Sequence, residues 1–147
     1  FSYPRPPQFL GTSFLKQVLL ETAPDRGLFQ RPPAPGAFAA TTAPLWAALD
    51  RLHPLLWRGG RQFPASPAAL VQQVADGELA MGLSFNPNEA ASLVAAQRLP
   101  ATVRAFQLAG GTIGNTHFLA IPFNARAAAG AQVVANFLLS PAAQARK

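Results

Sequence analysis

The spacing of apolar residues predicts helices separated by proline- and glycine-rich turns. Apolar positions recur with a helical period in five stretches, and each stretch is bounded by residues that start or stop helices. In chain order, the predicted helices begin near residue 13 and end near 22, cover 37–52, run from 67 to 76, open at 86–89, and run from 124 to 139. Pro44 is expected in or near the first turn of the second helix, and Ser140-Pro141 starts one more turn at the end.

The predicted helix starts carry polar side chains that can accept a hydrogen bond from an unpaired backbone N–H. Thr12 or Ser13 is the expected N-cap of the first helix, Ser66 caps the third, and Asn124 caps the last. The strongest local signal is Asn86-Pro87-Asn88-Glu89. Here Asn86 is expected to cap, Pro87 to take the first helical position, and Glu89 to reach back as in a capping box.

The remaining apolar runs are short and bounded by turn residues, a pattern typical of strands, and the first of them is expected to be a buried strand. They cover 78–83, 101–108 and 113–122, and residues 1–9 read as an extended leading segment. Strands and helices then alternate as β-α-α-α-β-α-β-β-α. This order predicts a single α/β lobe over residues 1–147, a three-layer sandwich with a mainly parallel sheet.

The chain is basic, with 12 basic and 6 acidic residues and a formal net charge of +6. Ten of the basic residues are Arg, and they are scattered singly along the chain. Nucleic-acid surfaces normally carry clustered cations, so we do not expect nucleic acid as a partner. A freestanding basic α/β domain that binds nucleic acid is kept as the alternative function.

Few side chains could carry catalysis or hold a metal. Cysteine is absent, and the two histidines, His53 and His117, have no metal-site spacing. Gly110-Gly111-Thr112-Ile113-Gly114 lacks the spacing of a phosphate loop and fits a turn better. The sequence therefore predicts a protein that is not an enzyme and that uses no metal and no cofactor.

Two polar segments stand where a predicted strand leads into a helix. They are Gly11-Thr12-Ser13 and Ser84-Phe85-Asn86. In a parallel sheet such turns meet at one edge, and their N–H groups and hydroxyls suit anionic or oxygen-rich ligands. Ordinary helix capping explains either segment alone equally well. Trp46 is a candidate for stacking on a ligand, although its helical spacing, like that of Trp57, favours core packing.

Several motifs together resemble solute-binding proteins of bacterial ABC importers. In chain order they are Tyr3-Pro-Arg-Pro-Pro7 with Gly11-Thr-Ser-Phe-Leu-Lys-Gln17, Gly77-Glu-Leu-Ala-Met81 leading to Ser84-Phe-Asn-Pro-Asn88, Gly114-Asn-Thr-His-Phe-Leu-Ala-Ile-Pro122, and Asn136-Phe-Leu-Leu-Ser-Pro141. The resemblance covers nearly the whole chain. It implies one lobe of a type II periplasmic-binding fold, with residues 77–88 at the ligand cleft and 115–122 as the returning hinge strand.

The resemblance also implies a function and partners. A periplasmic protein of this kind captures a small polar or anionic solute between two lobes and delivers it to membrane permease subunits. We therefore expect a fragment of a longer protein, with Asn115 and Thr116 joining the two polar segments at the cleft. The last helix is expected to expose Val133, Val134, Phe137 and Leu138, or to bury them against another copy. The complete predicted ligand-binding set is Gly11, Thr12, Ser13, Trp46, Ser84, Phe85, Asn86, Asn115 and Thr116.

Overall fold

The computed structural model describes residues 1–32, 34–115 and 117–146, and within them all regular structure is helical. The α-helices are α1 (Phe9–Thr22), α2 (Ala37–Leu52), α3 (Pro67–Ala75), α4 (Glu89–Ala95), α5 (Ala128–Leu139) and α6 (Pro141–Gln144). Short 3-10 helices cover Arg26–Gln30, His53–Leu55 and Trp57–Gly60. No helix in these described ranges has the length and apolar character needed to cross a bilayer.

The chain divides into two compact units, Phe1–Ile113 and Gly114–Lys147. The first holds α1 to α4, and the second holds α5 and α6. The prediction of a single lobe is not decided by this division and stays a prediction.

The predicted three-layer α/β sandwich is wrong, because the described residues contain no strand and no sheet. In two of the three apolar runs, 78–83 and 113–122, a backbone N–H bonds to a helix instead of to a neighbouring strand. The Leu79 N–H donates to the Gln73 carbonyl of α3 at 3.0 Å, and the Ile113 N–H donates to the Gln17 side chain of α1 at 2.8 Å. A short apolar run predicts burial, but a strand also needs a backbone partner along its length.

The core of the first unit lies between α1, α3 and the segment after α3. Leu10, Leu70 and Leu79 are buried together, and Trp57 and Val74 pack against them. The predicted burial of the apolar run 78–83 is wrong over most of its length, because Leu79 is buried while residues 78 and 80–82 are exposed. The prediction that Trp57 packs against the core is confirmed.

The leading segment is buried against α1 at residues 2–4. Ser2, Tyr3 and Pro4 are buried, and the Tyr3 ring lies 4.3 Å from the Phe14 ring of α1, measured between centroids. The helix and the segment approach so closely at Gly11 that a Cβ atom there would lie 1.8 Å from the Pro4 carbonyl oxygen. Gly11 was predicted to bind a ligand, but in the structure it packs against the leading segment.

Some of the predicted helix boundaries and caps are confirmed, and others are wrong. Ser66 caps α3 by accepting the Ala69 N–H at 3.1 Å, and α2 begins and ends where predicted. Thr12 and Ser13 do not cap α1, because the Gln8 side chain accepts the first N–H groups and the helix starts at Phe9. Pro44 lies inside α2, beyond its first turn.

The last two helices lie in the second unit. α5 starts at Ala128 after Ala127, which makes no side-chain cap, so the predicted cap at Asn124 is wrong. Ser140 caps α6 as expected, accepting the Ala143 N–H at 3.3 Å. The predicted exposure of one apolar face of α5 is confirmed at Val133, Val134, Phe137 and Leu138.

Candidate functional site

A cavity of about 160 Å³ lies in the first unit, between α1, α3, the start of α4 and the segment 83–86 that leads into α4. Its wall takes side chains from the start of α1, from α3, from residues 83–86 and from the first residue of α4. The lining residues are Leu10, Pro67, Val71, Leu83, Ser84, Phe85, Asn86 and Glu89. A concave, mainly apolar wall with a few polar groups is the common form of a small-molecule site.

The polar side of the cavity is built by a closed set of hydrogen bonds over residues 84–89. The Ser84 hydroxyl accepts the Asn86 N–H at 3.0 Å and donates to the Glu89 carboxylate. The Asn86 side-chain oxygen accepts the Asn88 N–H at 2.9 Å. These bonds fix the turn in place, since Ser and Asn side chains stabilise tight turns by bonding to nearby N–H groups.

This arrangement replaces the predicted capping box. α4 begins at Glu89 instead of Pro87, and Asn88 precedes it without a side-chain cap. The Glu89 carboxylate accepts a hydrogen bond from the Ser84 hydroxyl, and both residues line the cavity. Sequence reasoning assigned Glu89 to a cap and so missed it as a site residue. The five-residue separation of a serine and a glutamate across a proline turn was the available signal.

An aromatic pair lies beside the cavity. Phe85 lines it, and the Phe85 ring packs against Phe9 of α1 with the centroids 5.0 Å apart and the planes at 37°. Both rings remain more than half exposed, at 55% and 59%. Large aromatic side chains that stay exposed next to a cavity add apolar surface for a ligand.

The structure brings together some predicted site residues and not others. Ser84, Phe85 and Asn86 line the cavity as a group. Gly11, Thr12 and Ser13 follow the lining residue Leu10 in α1, but none of them is part of the wall.

Three predicted residues lie elsewhere. Trp46 is 48% exposed on α2, so its favoured packing in the core is wrong. Its indole N–H donates to the Thr42 hydroxyl, and it does not line the cavity. Asn115 belongs to the second unit, and its meeting with the other residues stays a prediction. Thr116 lies outside the described residues.

A second hollow, of about 480 Å³, lies between α4 and residues 103–105. It is lined by alanine, valine and proline side chains together with Arg104. The Arg104 guanidinium already donates to the carbonyls of Ala101 and Val103. This hollow therefore offers less binding chemistry than the cavity at Ser84. Among the described residues, no three His, Asp or Glu side chains lie together as a metal site would need.

The sequence is similar to one curated protein over almost its full length. It is 51% identical over 146 residues to Protein YnjB of Escherichia coli (strain K12). The match covers 99% of this chain and 38% of that protein, so the chain spans well under half of the relative's length. No protein-family model matches the chain, and no solved structure matches it.

Proposed function

We propose that this chain is the solute-binding part of a bacterial ABC importer. In this role it captures a small polar molecule outside the inner membrane and delivers it to permease subunits. The cavity bounded by residues 83–86 is the part of the chain that contacts the solute. The chain binds and releases its solute unchanged and acts as no enzyme.

The observation that carries this proposal is the identity of the residues that line the cavity. The motif resemblance assigns residues 77–88 to the ligand cleft of such binding proteins. Leu83, Ser84, Phe85 and Asn86 come from this segment and line the cavity side by side. A wall that is apolar over most of its area, with hydroxyl, amide and carboxylate groups on one side, suits a small organic solute.

The exposed apolar face of α5 supports the proposal, because a solute-binding protein of this class contacts other protein surfaces. Val133 and Phe137 are one helical turn apart, and they are 71% and 63% exposed. α5 contains no charged residue. Contiguous exposed apolar surface is typical of interfaces, and a binding protein of this class has a second lobe and a permease to contact.

A steric test of the cavity does not depend on knowing the solute. A panel of amino acids, oxyanions, sugars and organic cations is screened against the 147-residue chain by thermal shift and by NMR of residues 83–89. Val71→Phe fills the cavity from α3 and is expected to remove binding of any solute that the panel reveals. Val94→Phe is the matched control, because Val94 is also half-buried but lines the other hollow.

Two results contradict the proposed function. One is a panel in which no solute binds. The other is a solute whose affinity is the same in the chain with Val71→Phe as in the unaltered chain. Binding of an arbitrary DNA duplex that weakens steeply with salt favours the nucleic-acid alternative instead.

A further inference from the structure

We infer that the cavity beside Ser84 selects a small organic cation, an ammonium group with apolar substituents. This inference rests on the proposed solute-binding function and specifies its ligand class. It departs from the expectation of an anionic solute, which came from helix N–H groups and hydroxyls alone. The reason is the carboxylate of Glu89 in the wall.

The Glu89 carboxylate is unneutralised within the described residues. One oxygen, Oε2, accepts the Ser84 hydroxyl, while Oε1 accepts no hydrogen bond from any described residue. The ion pair found in the described part of the chain joins Arg26 to Glu21 and does not involve Glu89. A carboxylate has about four acceptor positions, so this one can still bind a ligand donor. An anion in the same cavity meets like charge at close range.

The aromatic pair favours the same class of ligand. Phe85 lines the cavity, and its ring packs against the ring of Phe9. An aromatic ring carries negative potential on its faces, so it attracts an ammonium group and repels an anion. A carboxylate and an aromatic ring in one small wall form a combination that recognises organic cations.

The apolar part of the wall distinguishes an organic cation from a metal ion. Leu10, Val71 and Leu83 offer only hydrocarbon, which matches methyl substituents and cannot replace the water around a metal ion. The cavity of about 160 Å³ has room for a small organic group in addition to water.

The net charge of the chain does not reverse this selectivity. The formal charge of +6 opposes a cation at long range. At physiological salt, however, interactions between exposed charges are screened beyond about 8 Å. The charge in direct contact with the ligand therefore determines whether the cavity prefers a cation or an anion, and that charge is the carboxylate of Glu89.

The test compares choline with dimethylbutanol, its neutral carbon isostere, and with acetate. Binding to the 147-residue chain is followed by NMR of the backbone amides of residues 84–86, 88 and 89. Choline is expected to bind about tenfold or more tightly than dimethylbutanol, since only choline gains the carboxylate and cation–π attraction. Glu89→Gln should reduce that difference to the part that comes from the aromatic ring, whereas Glu78→Gln, a control at an exposed acidic residue outside the wall, should preserve it in full.

The outcomes separate this inference from the proposed function. Equal affinity of the unaltered chain for choline and dimethylbutanol overturns the inference. This comparison needs no variant, so it does not depend on whether a variant folds. Acetate binding that Val71→Phe removes also overturns it, but it leaves the solute-binding function standing. Failure of every solute in the panel overturns both.

Discussion

The side chain of Gln17, in the middle of α1, bonds to the backbone on both sides of Thr112. Its Nε2 donates to the Gly111 carbonyl at 2.9 Å, and its Oε1 accepts the Ile113 N–H at 2.8 Å. Nε2 also donates to Glu21 at 3.0 Å, which fixes the amide's orientation. One glutamine thus supplies the donor and the acceptor that a neighbouring strand would have supplied.

Replacing Gln17 should loosen this segment locally. Gln17→Ala leaves the Ile113 N–H without its acceptor, and a hydrogen bond of this kind contributes about 0.5–1.5 kcal/mol. We therefore expect hydrogen exchange at Ile113 to speed up by about tenfold, with a smaller change in the global free energy of unfolding. Lys16→Ala, one residue earlier on the exposed side of α1, is the control. Unchanged exchange at Ile113 contradicts the assigned role.

Gly11 should tolerate no side chain. A Cβ atom there would lie 1.8 Å from the Pro4 carbonyl oxygen, so Gly11→Ala must push α1 away from the leading segment. We expect the free energy of unfolding to fall by about 3 kcal/mol or more, as measured by urea denaturation. Gly130→Ala is the opposite case, because its Cβ meets no atom within 4 Å in α5. It should stabilise the helix by about 0.5–1 kcal/mol, and a comparable loss in both variants contradicts this account.

Residues that start or stop helices were sufficient to predict several helix boundaries. Ser66-Pro67 starts α3, and Gly36 precedes α2, whose bounds agree with the predicted 37–52. These signals act within a few residues and depend little on the rest of the chain. Strand formation depends on a partner distant in sequence. The Leu79 N–H bonds to a carbonyl of α3 and the Ile113 N–H bonds to the side chain of Gln17, so neither pairs with a strand. The apolar runs alone therefore predicted the wrong fold.

The site shows the same division. Ser84, Phe85 and Asn86 were predicted because they follow an apolar run interpreted as a strand of a parallel sheet. All three line the cavity, although the described residues contain no sheet. Glu89 was missed, since its carboxylate bonds to the Ser84 hydroxyl instead of capping α4. Which of two local hydrogen bonds a side chain makes depends on the packing around it, and sequence spacing does not supply that.

Gln8 should stabilise α1 more than Ser13 does. The Gln8 Oε1 accepts the Leu10 N–H at 2.7 Å and the Gly11 N–H at 3.2 Å, whereas Ser13 lies inside the helix. Losing an N-terminal cap costs about 1 kcal/mol, so Gln8→Ala is expected to lower the unfolding free energy by that amount. Ser13→Ala should change it by less than about 0.5 kcal/mol, as is usual away from such features. The reverse order in urea denaturation contradicts the assignment of the cap.

Tyr3 should make the stability of the chain depend on pH in the alkaline range. Its side chain is 3% exposed, and its hydroxyl lies 2.8 Å from Nε2 of His53, forming a hydrogen bond. Burial raises the pKa of Tyr3 above its ordinary value of 10.0, because desolvation disfavours the phenolate. The folded state therefore holds this proton more tightly than the unfolded state does.

The sign of the pH effect follows from that difference. The contribution of the buried phenol is complete below pH 10.0 and is lost as the pH rises through the raised pKa of the folded state. Tyr3→Phe keeps the ring and removes the titrating group, so its unfolding free energy should fall less steeply above that pH. At neutral pH the same variant should be less stable by about 1 kcal/mol, since the bond to His53 is lost. Urea denaturation of both proteins across the alkaline range measures the two slopes, and equal slopes would show that another group causes the alkaline loss.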